Sequence, residues 1–263
     1  MWYNKNRRKN KWGVKMLEAI WSVLFFIVQN IFYALVLVVG FFSGFIIIGL
    51  VLHYIEKIKK KHIPKDIWKY TAVVGIPVHE TGHLTIAALF GCEIFDVKLL
   101  DLKERDGTYG YVTYGIYQTI PHYVGMLFIN AGPLILATFL LWLPVYLGAG
   151  ASIEDHSPIE AMRMFWGQYD VIWFWLFLIG GFFIAPYASL SPNDMMISIN
   201  TGISVTTMVW IILMVYQASG GNMDFVFTVA QFGLELIMYL VVLVPFALLH
   251  LMVGFIAKAL IKK

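Results

Sequence analysis

Long apolar segments separated by short polar connections make up most of the chain. They cover approximately residues 16–54, 70–91, 122–147, 169–190, 195–217 and 225–257. A helix needs about 20 consecutive apolar residues to cross the hydrocarbon core of a bilayer, and these segments reach or exceed that length. The pattern predicts an all-α polytopic membrane protein with about six to seven transmembrane segments.

The first apolar segment is long enough for two arrangements. It either forms a helical hairpin that crosses the bilayer twice, or lies at the interface as far as Gln29 and Asn30 and then crosses once. Basic clusters flank it, and such clusters usually mark the cytoplasmic side of a membrane. If both are cytoplasmic, the hairpin is favoured. Their members are Lys5, Arg7, Arg8, Lys9, Lys11 and Lys15 before the segment, and Lys57, Lys59, Lys60, Lys61, Lys65 and Lys69 after it.

The connection between the second and third apolar segments has a different pattern. Residues 97–102 and 108–114 favour extended backbone, and Asp106-Gly107 between them is a hairpin turn signal. We therefore predict a small membrane-associated β-hairpin here. Residues 148–168 are expected to be a polar connection, and residues 218–224 a short Gly-rich loop.

Composition supports the membrane assignment. Hydrophobic residues make up 60% of the chain and charged residues only 13%, so one water-soluble core could not bury them. Cys92 is the single cysteine, which excludes an internal disulfide. No cleavable signal peptide is apparent, so the first segment is expected to remain in the mature protein. The basic clusters lack interleaved aromatic residues, which argues for anionic lipid as their partner and against nucleic acid.

One sequence motif indicates metal-dependent hydrolysis. Residues 79–83 read His-Glu-Thr-Gly-His within the second apolar segment, which is the HExxH pattern. On a helix His79 and His83 lie on one face, so both imidazoles can reach one metal ion, and Glu80 beside them can act as general base. Zinc would acidify the attacking water and polarise the scissile carbonyl, which leaves Glu80 a short proton transfer. The alternative is a chance match with two packed histidines.

A catalytic zinc site needs a third protein ligand. Asp194 is the strongest candidate, because Pro186 and Pro192 break the helix just before it, and irregular backbone at membrane depth is tolerated where it lines a cavity. Alternatively, Asp194 caps the helix that follows Ser191.

The other candidates are weaker. His122 could approach the site, but Pro121 before it is typical of an interfacial helix start. Glu235 is a lone carboxylate in the last apolar segment and could line a functional cavity. The rest are expected to be packed, interfacial or solvated: His53, His62, His156, Asp170 and His250.

Three features in this order resemble the site-2 protease family of intramembrane zinc metalloproteases. They are HExxH at 79–83, Asn-Ala-Gly-Pro-Leu at 130–134, and the proline-containing break at 186–194, and the resemblance covers roughly residues 70–217. Where the family has Leu-Asp-Gly, this chain has Asn193-Asp194-Met195. The asparagine often found after Ala-Gly-Pro is replaced by an apolar stretch, although Asn130 and Asn193 could supply similar hydrogen bonds.

The resemblance implies a function and a site. One Zn²⁺ would be held by His79, His83 and Asp194, with Glu80 as general base, and the substrate would be a transmembrane protein. The hairpin would present an unwound substrate strand by β-augmentation. The chain would be a divergent family member without an inserted peptide-binding domain, in a multi-pass membrane location, with the site nearer the cytoplasm.

This interpretation divides the chain into three parts. Residues 1–69 form a basic N-terminus, the first hydrophobic segment or segments and a basic loop. Residues 70–217 form the metalloprotease membrane core, and residues 218–263 a C-terminal transmembrane helix with a basic tail.

Three other functions remain open. One is a prenyl-protein-type membrane protease with Glu235 as third ligand. Another is a noncatalytic metal-binding protein that binds and regulates other membrane proteins, although such a protein has no need for Glu80 beside its ligands. The last is a transporter or channel with broken helices, for which the HExxH spacing is not required.

Overall fold

The structure is a computed structural model, and it describes residues 2–101, 109–115, 119–150, 156–168 and 171–261. Within these ranges the chain is mainly helical, with one two-stranded sheet and one 3₁₀ turn. The elements are α1 Trp2–His62, α2 Lys65–Leu89, β1 Glu93–Lys98, β2 Tyr111–Gly115, α3 Ile120–Ala149, α4 Pro158–Gln168, α5 Val171–Ile184, the 3₁₀ turn Ala185–Tyr187, α6 Pro192–Ala218, α7 Asp224–Leu240 and α8 Leu243–Ile261.

The first apolar segment is one continuous helix, so the predicted helical hairpin is wrong. α1 runs for 61 residues, which corresponds to about 90 Å at the rise of an α-helix. The segment contains no proline and no cluster of turn residues that would end its backbone hydrogen bonding. Its apolar side chains can lie against lipid along one uninterrupted helix, so no turn is needed to keep them away from water.

Within the described residues, four helical stretches are long and apolar enough to cross a membrane, judged by length and composition. They are Lys15–His62, Pro121–Ala149, Pro192–Ala218 and Asp224–Ile261. The predicted count of six to seven therefore remains a prediction. α2 carries the histidines and the glutamate of the motif, which lower its mean hydropathy, and the apolar stretch Val171–Tyr187 is short.

Small residues bring the long helices together around α1. Gly40 faces Ala230 of α7, and Gly233 of α7 faces Phe41, so the two backbones approach closely. The contacts advance along both helices in the same direction, because Gly44 meets Ile237. α1 and α7 therefore run parallel.

α6 lies against α1 in the opposite direction. Asn30 near the middle of α1 donates to Gln217 at the end of α6, at 2.6 Å, whereas His53 of α1 contacts the carbonyl oxygen of Leu190 just before α6, at 3.2 Å. This antiparallel packing places the C-terminal half of α1 beside the N-terminus of α6.

The predicted β-hairpin is confirmed as an antiparallel pair, with different strand limits. β1 begins at Glu93, four residues earlier than expected, because α2 ends at Leu89 and Gly91 turns the chain with a φ of 69°. A bulge between Ile94 and Asp96 interrupts the register. The predicted turn residues Asp106 and Gly107 lie outside the described residues.

Two further elements differ from expectation. The predicted polar connection contains α4, whose first turn is capped by a reciprocal pair of hydrogen bonds between Ser157 and Glu160. The predicted single C-terminal helix divides into α7 and α8 at Val241 and Val242, shortly before Pro245, whose ring has no N–H for helical hydrogen bonding.

Candidate metal centre

Close packing of α2 against α3 builds one wall of the site. Gly82 directly precedes His83, and a Cβ placed on it would come within 2.6 Å of the backbone of Gly132. Only glycine at both positions permits this approach. The contact brings the carbonyl oxygen of Ile129 on α3 to within 2.8 Å of Nδ1 of His83.

The two histidines are oriented by backbone carbonyls. Nδ1 of His79 lies 2.7 Å from the carbonyl oxygen of Tyr187, and Nδ1 of His83 lies 2.8 Å from that of Ile129. A carbonyl oxygen only accepts hydrogen bonds, so each Nδ1 carries the proton. In the neutral rings both Nε2 atoms are then unprotonated, and they face each other at 3.2 Å. Two opposed lone pairs at this distance favour a shared cation.

Asp194 reaches the same point from the start of α6. The 3₁₀ turn and Pro192 redirect the chain, and Ser191 and Asp194 form a capping box in which Asp194 Oδ2 accepts from the N–H of Ser191 at 2.9 Å. The same Oδ2 lies 3.8 Å from Nε2 of His83. The capping role and the proximity to the histidines were predicted as alternatives, and the structure combines them.

The three donor atoms suit a transition-metal ion. One ligand atom from each of His79, His83 and Asp194 lies within 4.8 Å of the others. Ligands at zinc distances in a tetrahedron are separated by about 3.4 Å, and two of the three pairs here, His79 with His83 and His83 with Asp194, lie at 3.2 Å and 3.8 Å. Outer-shell hydrogen bonds to all three are already in place. The group could therefore hold a metal ion.

Glu80 is buried next to this group. It is 8% exposed, and Gly110 packs so closely on it that a Cβ there would lie 2.8 Å from the Glu80 Cγ. Within the described structure its carboxylate makes no hydrogen bond or ion pair, and it lines the same cavity as both histidines. A buried carboxylate beside a metal group is suited to accept a proton from an attacking water.

A cavity of about 1060 Å³ opens in front of these residues. Its walls come from the C-terminal part of α1, from α2, from the 3₁₀ turn and the start of α6, and from β2. Among the residues that the structure describes, strand β2 pairs only with β1, and its residues 111–114 line the cavity. Partial burial raises the pKa of Tyr114 to about 12, so its hydroxyl stays protonated and can donate a hydrogen bond.

The weaker candidates lie elsewhere, with one exception. Glu235 is exposed on α7 and His250 is buried against Thr71, so neither joins the metal group. α3 begins at Ile120, so Pro121 lies at its start as predicted, and His122 contacts the side chain of Thr119 there. His53 was expected to be packed or interfacial, but it lines the cavity, because antiparallel packing sets α1 beside α6.

The remaining candidates have simple positions. His62 is exposed and His156 is half-buried. Asp170 lies outside the described residues. Asn193 lines the cavity, whereas Asn130 is buried with no hydrogen-bond partner for its side chain in the described structure.

Three groups that contribute to the site or line its cavity were not predicted from the sequence. The carbonyl groups of Tyr187 and Ile129 carry no residue-type signal, because any residue has a carbonyl. Lys59 was counted as one of a basic cluster, but it is 2% exposed and lines the cavity. Its only signal was its position one turn after Glu56 near the end of an apolar segment.

Comparison of the chain with protein-family models, with curated proteins and with solved structures gave no match.

Proposed function

We propose that this protein is a membrane-embedded zinc metalloprotease, similar to site-2 proteases, that hydrolyses peptide bonds of membrane-spanning or membrane-associated proteins. The observation that carries the proposal is the meeting of His79, His83 and Asp194 beside the buried carboxylate of Glu80 on one cavity. A purely structural metal site has no use for an open face or for a base next to it.

Each residue has a defined role in this proposal. His79, His83 and Asp194 would hold the zinc ion, which when bound supplies Lewis-acid polarisation of the scissile carbonyl and lowers the pKa of water. Glu80 accepts the proton of the attacking water and returns it to the leaving amine. The carbonyls of Tyr187 and Ile129 keep both imidazoles in the tautomer that leaves Nε2 available.

The position of strand β2 supports the proposal that the substrate is a peptide. A transmembrane helix hides its peptide bonds in hydrogen bonds, so it must be extended locally before water can attack. Within the described residues β2 pairs only with β1, and its residues 111–114 line the cavity, so we expect an extended segment to add to its other edge. The four helices of the described structure that are long and apolar enough to cross a membrane support a transmembrane class of substrate. The exposed lysines at the end of α1 and the start of α2 suit contact with anionic lipid, which would place them on the cytoplasmic side.

The test is Glu80→Gln in purified protein, with zinc content and hydrolysis of a casein or transmembrane-peptide mixture measured together. We expect the variant to keep its zinc and lose turnover, because glutamine cannot accept the proton. Glu235→Gln is the matched control, since Glu235 is exposed on α7, and it should retain full activity. Loss of activity in Glu235→Gln would instead favour the prenyl-protease alternative.

A noncatalytic metal-binding protein that regulates other membrane proteins is the second candidate. It would bind zinc in the wild type and show no hydrolysis of any substrate offered. It would also bind its partners equally well as the wild type and as the Glu80→Gln variant. Hydrolysis that depends on Glu80 rejects it.

A further inference from the structure

Lys59 is a buried cation outside the metal group. It is 2% exposed, near the C-terminal end of α1. Its ammonium group lies 3.4 Å from the carbonyl oxygen of Pro186, 4.1 Å from the ring centroid of Tyr187 and 5.3 Å from that of Trp68. A buried ammonium is costly unless it is paired with an anion or fully hydrogen-bonded.

The described neighbours do not complete its hydrogen bonding. An ammonium has three N–H donors, and within the described structure Lys59 makes one long hydrogen bond, to Pro186. Glu56 is one turn away, but its carboxylate pairs with Lys60 at 2.7 Å and accepts from the hydroxyl of Ser189. Glu56 attracts Lys59 electrostatically, but no hydrogen bond joins the two in the described structure, and Glu56 shares its charge with Lys60.

The part of α1 that lines the cavity carries a net positive charge. It contributes three lysines and one glutamate to the lining, and Lys59 is the buried one of these lysines. The same cavity is lined by the metal group and by residues 111–114 of β2. A peptide lying along β2 would therefore occupy the cavity that Lys59 lines.

Tyr187 connects Lys59 to the metal group. Its ring lies under the Lys59 ammonium, and its carbonyl oxygen accepts from His79. The cation is accordingly separated from the first candidate ligand by a single residue. An anion bound at Lys59 would lie a short distance along the peptide from the bond to be cleaved.

We propose that Lys59 binds a carboxylate of the substrate, either an acidic side chain near the scissile bond or a free C-terminus. This inference rests on the proposed protease function and adds a preference to it. A carboxylate would supply the missing acceptor atoms and a counter-charge that is not shared with Lys60, and hydrogen bonds between charged groups are the stronger kind.

The first test changes the peptide and leaves the protein's cavity lysines intact. Short fluorescent peptides of Ala, Leu and Val carry one Glu moved stepwise along the chain, each with a Gln partner, and each with a free or amidated C-terminus. Binding to the Glu80→Gln protein is measured by fluorescence anisotropy, so it does not depend on turnover. We expect one position, or the free terminus, to bind roughly ten- to a hundredfold more tightly than its neutral partner.

The second test changes the protein. Lys59→Met should abolish the preference for the charged peptide, and Lys59→Arg should restore part of it. Lys57→Met is the matched control, because Lys57 lines the same cavity but is exposed, and it should keep the preference. Thermal stability and zinc content of each variant show whether Lys59→Met has lost its fold, and the peptide comparison on unchanged Lys59 is independent of that.

The outcomes separate this inference from the protease proposal. Equal affinity for every Glu and Gln pair and for both termini, or binding of none of them, overturns the inference even if hydrolysis is found. A carboxylate preference without hydrolysis by the wild type supports the Lys59 site and counts against the protease. If phosphatidylglycerol in nanodiscs binds in a Lys59-dependent manner and the peptides do not, the ligand is a lipid headgroup and the inference is wrong.

Discussion

Nδ1 of His79 lies 2.7 Å from the carbonyl oxygen of Tyr187, a residue 108 positions later in the chain. The hydroxyl of Tyr187 returns to the same helix and donates to the carbonyl oxygen of Trp68 at 2.8 Å. Tyr187 thus ties the 3₁₀ turn to α2 at two points. Its backbone sets the ring orientation of one candidate ligand, and its side chain holds that backbone in place.

Removal of the Tyr187 hydroxyl should loosen this connection. Tyr187→Phe keeps the carbonyl that faces His79 but leaves the buried hydroxyl of Thr71 with one partner fewer. We expect a loss of about 1–2 kcal/mol in the free energy of unfolding and a weaker hold on metal, by up to roughly tenfold. Denaturation in detergent and metal competition with a chelator measure the two effects. Tyr216→Phe, at an exposed ring, should change neither, and equal effects of both variants would contradict the prediction.

Metal binding should depend on all three candidate ligands. We expect near-stoichiometric zinc in the wild type, none in the double variant His79→Ala and His83→Ala, and weakened binding in Asp194→Ala. The weakening should be at least the roughly 10–100-fold that loss of an outer-shell partner causes. Elemental analysis of purified protein gives the content, and His62→Ala, at an exposed histidine, is the control. A wild type that binds no zinc after reconstitution would remove the basis of the protease proposal.

Ser191 should matter for both the helix and the metal. Its hydroxyl accepts from the N–H of Asp194 at 3.1 Å, and its own N–H donates to the Asp194 carboxylate. Ser191→Ala should cost about 1 kcal/mol of stability through the lost cap and should also lower metal affinity, because Asp194 is then less constrained. Thermal unfolding and chelator competition measure the two effects.

The matched control is Ser204→Ala, since Ser204 is on the same helix and bonds only to the carbonyl of Asn200. It should leave metal affinity unchanged. If Ser191→Ala lowers stability but not metal affinity, the capping box does not position the carboxylate.

The α2–α3 contact should tolerate no side chain at Gly82. A Cβ there would lie 2.6 Å from the backbone of Gly132, which cannot move without shifting α3. We expect Gly82→Ala to destabilise the protein by about 1–3 kcal/mol and to reduce metal binding, because His83 follows directly. Thermal unfolding and zinc content are the measurements.

Gly202→Ala is the control for helical glycine replacement, because no atom lies within 4 Å of its added Cβ. Alanine favours helix more than glycine does, so this variant should be neutral or slightly stabilised. Equal destabilisation at both positions would show that close packing at Gly82 is not the cause.

Local sequence determined the elements that depend on spacing. The i and i+4 positions of His79 and His83 lie on one helix face whatever the rest of the chain does. The alternation and turn signals after α2 predicted a hairpin, and one is present, although its limits shifted because α2 ended early. The length of the apolar segments likewise predicted the long helices.

Local sequence was less informative where long-range packing competes with a local pattern. Basic clusters at both ends of the first segment favoured a turn, but no residue within it ends the helical hydrogen bonding, and α1 is continuous. The break between α7 and α8 was also missed, because the apolar pattern continues through it and Pro245, shortly after it, was the one local signal.

The metal group depended both on local sequence and on the tertiary structure. Residue types and the proline-containing break singled out His79, Glu80, His83 and Asp194 from the sequence alone, because these side chains are costly to bury without a purpose. The meeting of the two histidines and Asp194 within 4.8 Å needed the tertiary structure. The position of the Tyr187 carbonyl and the burial of Lys59 also needed the tertiary structure. A backbone group has no residue signature, and the burial of a side chain depends on which helices pack together.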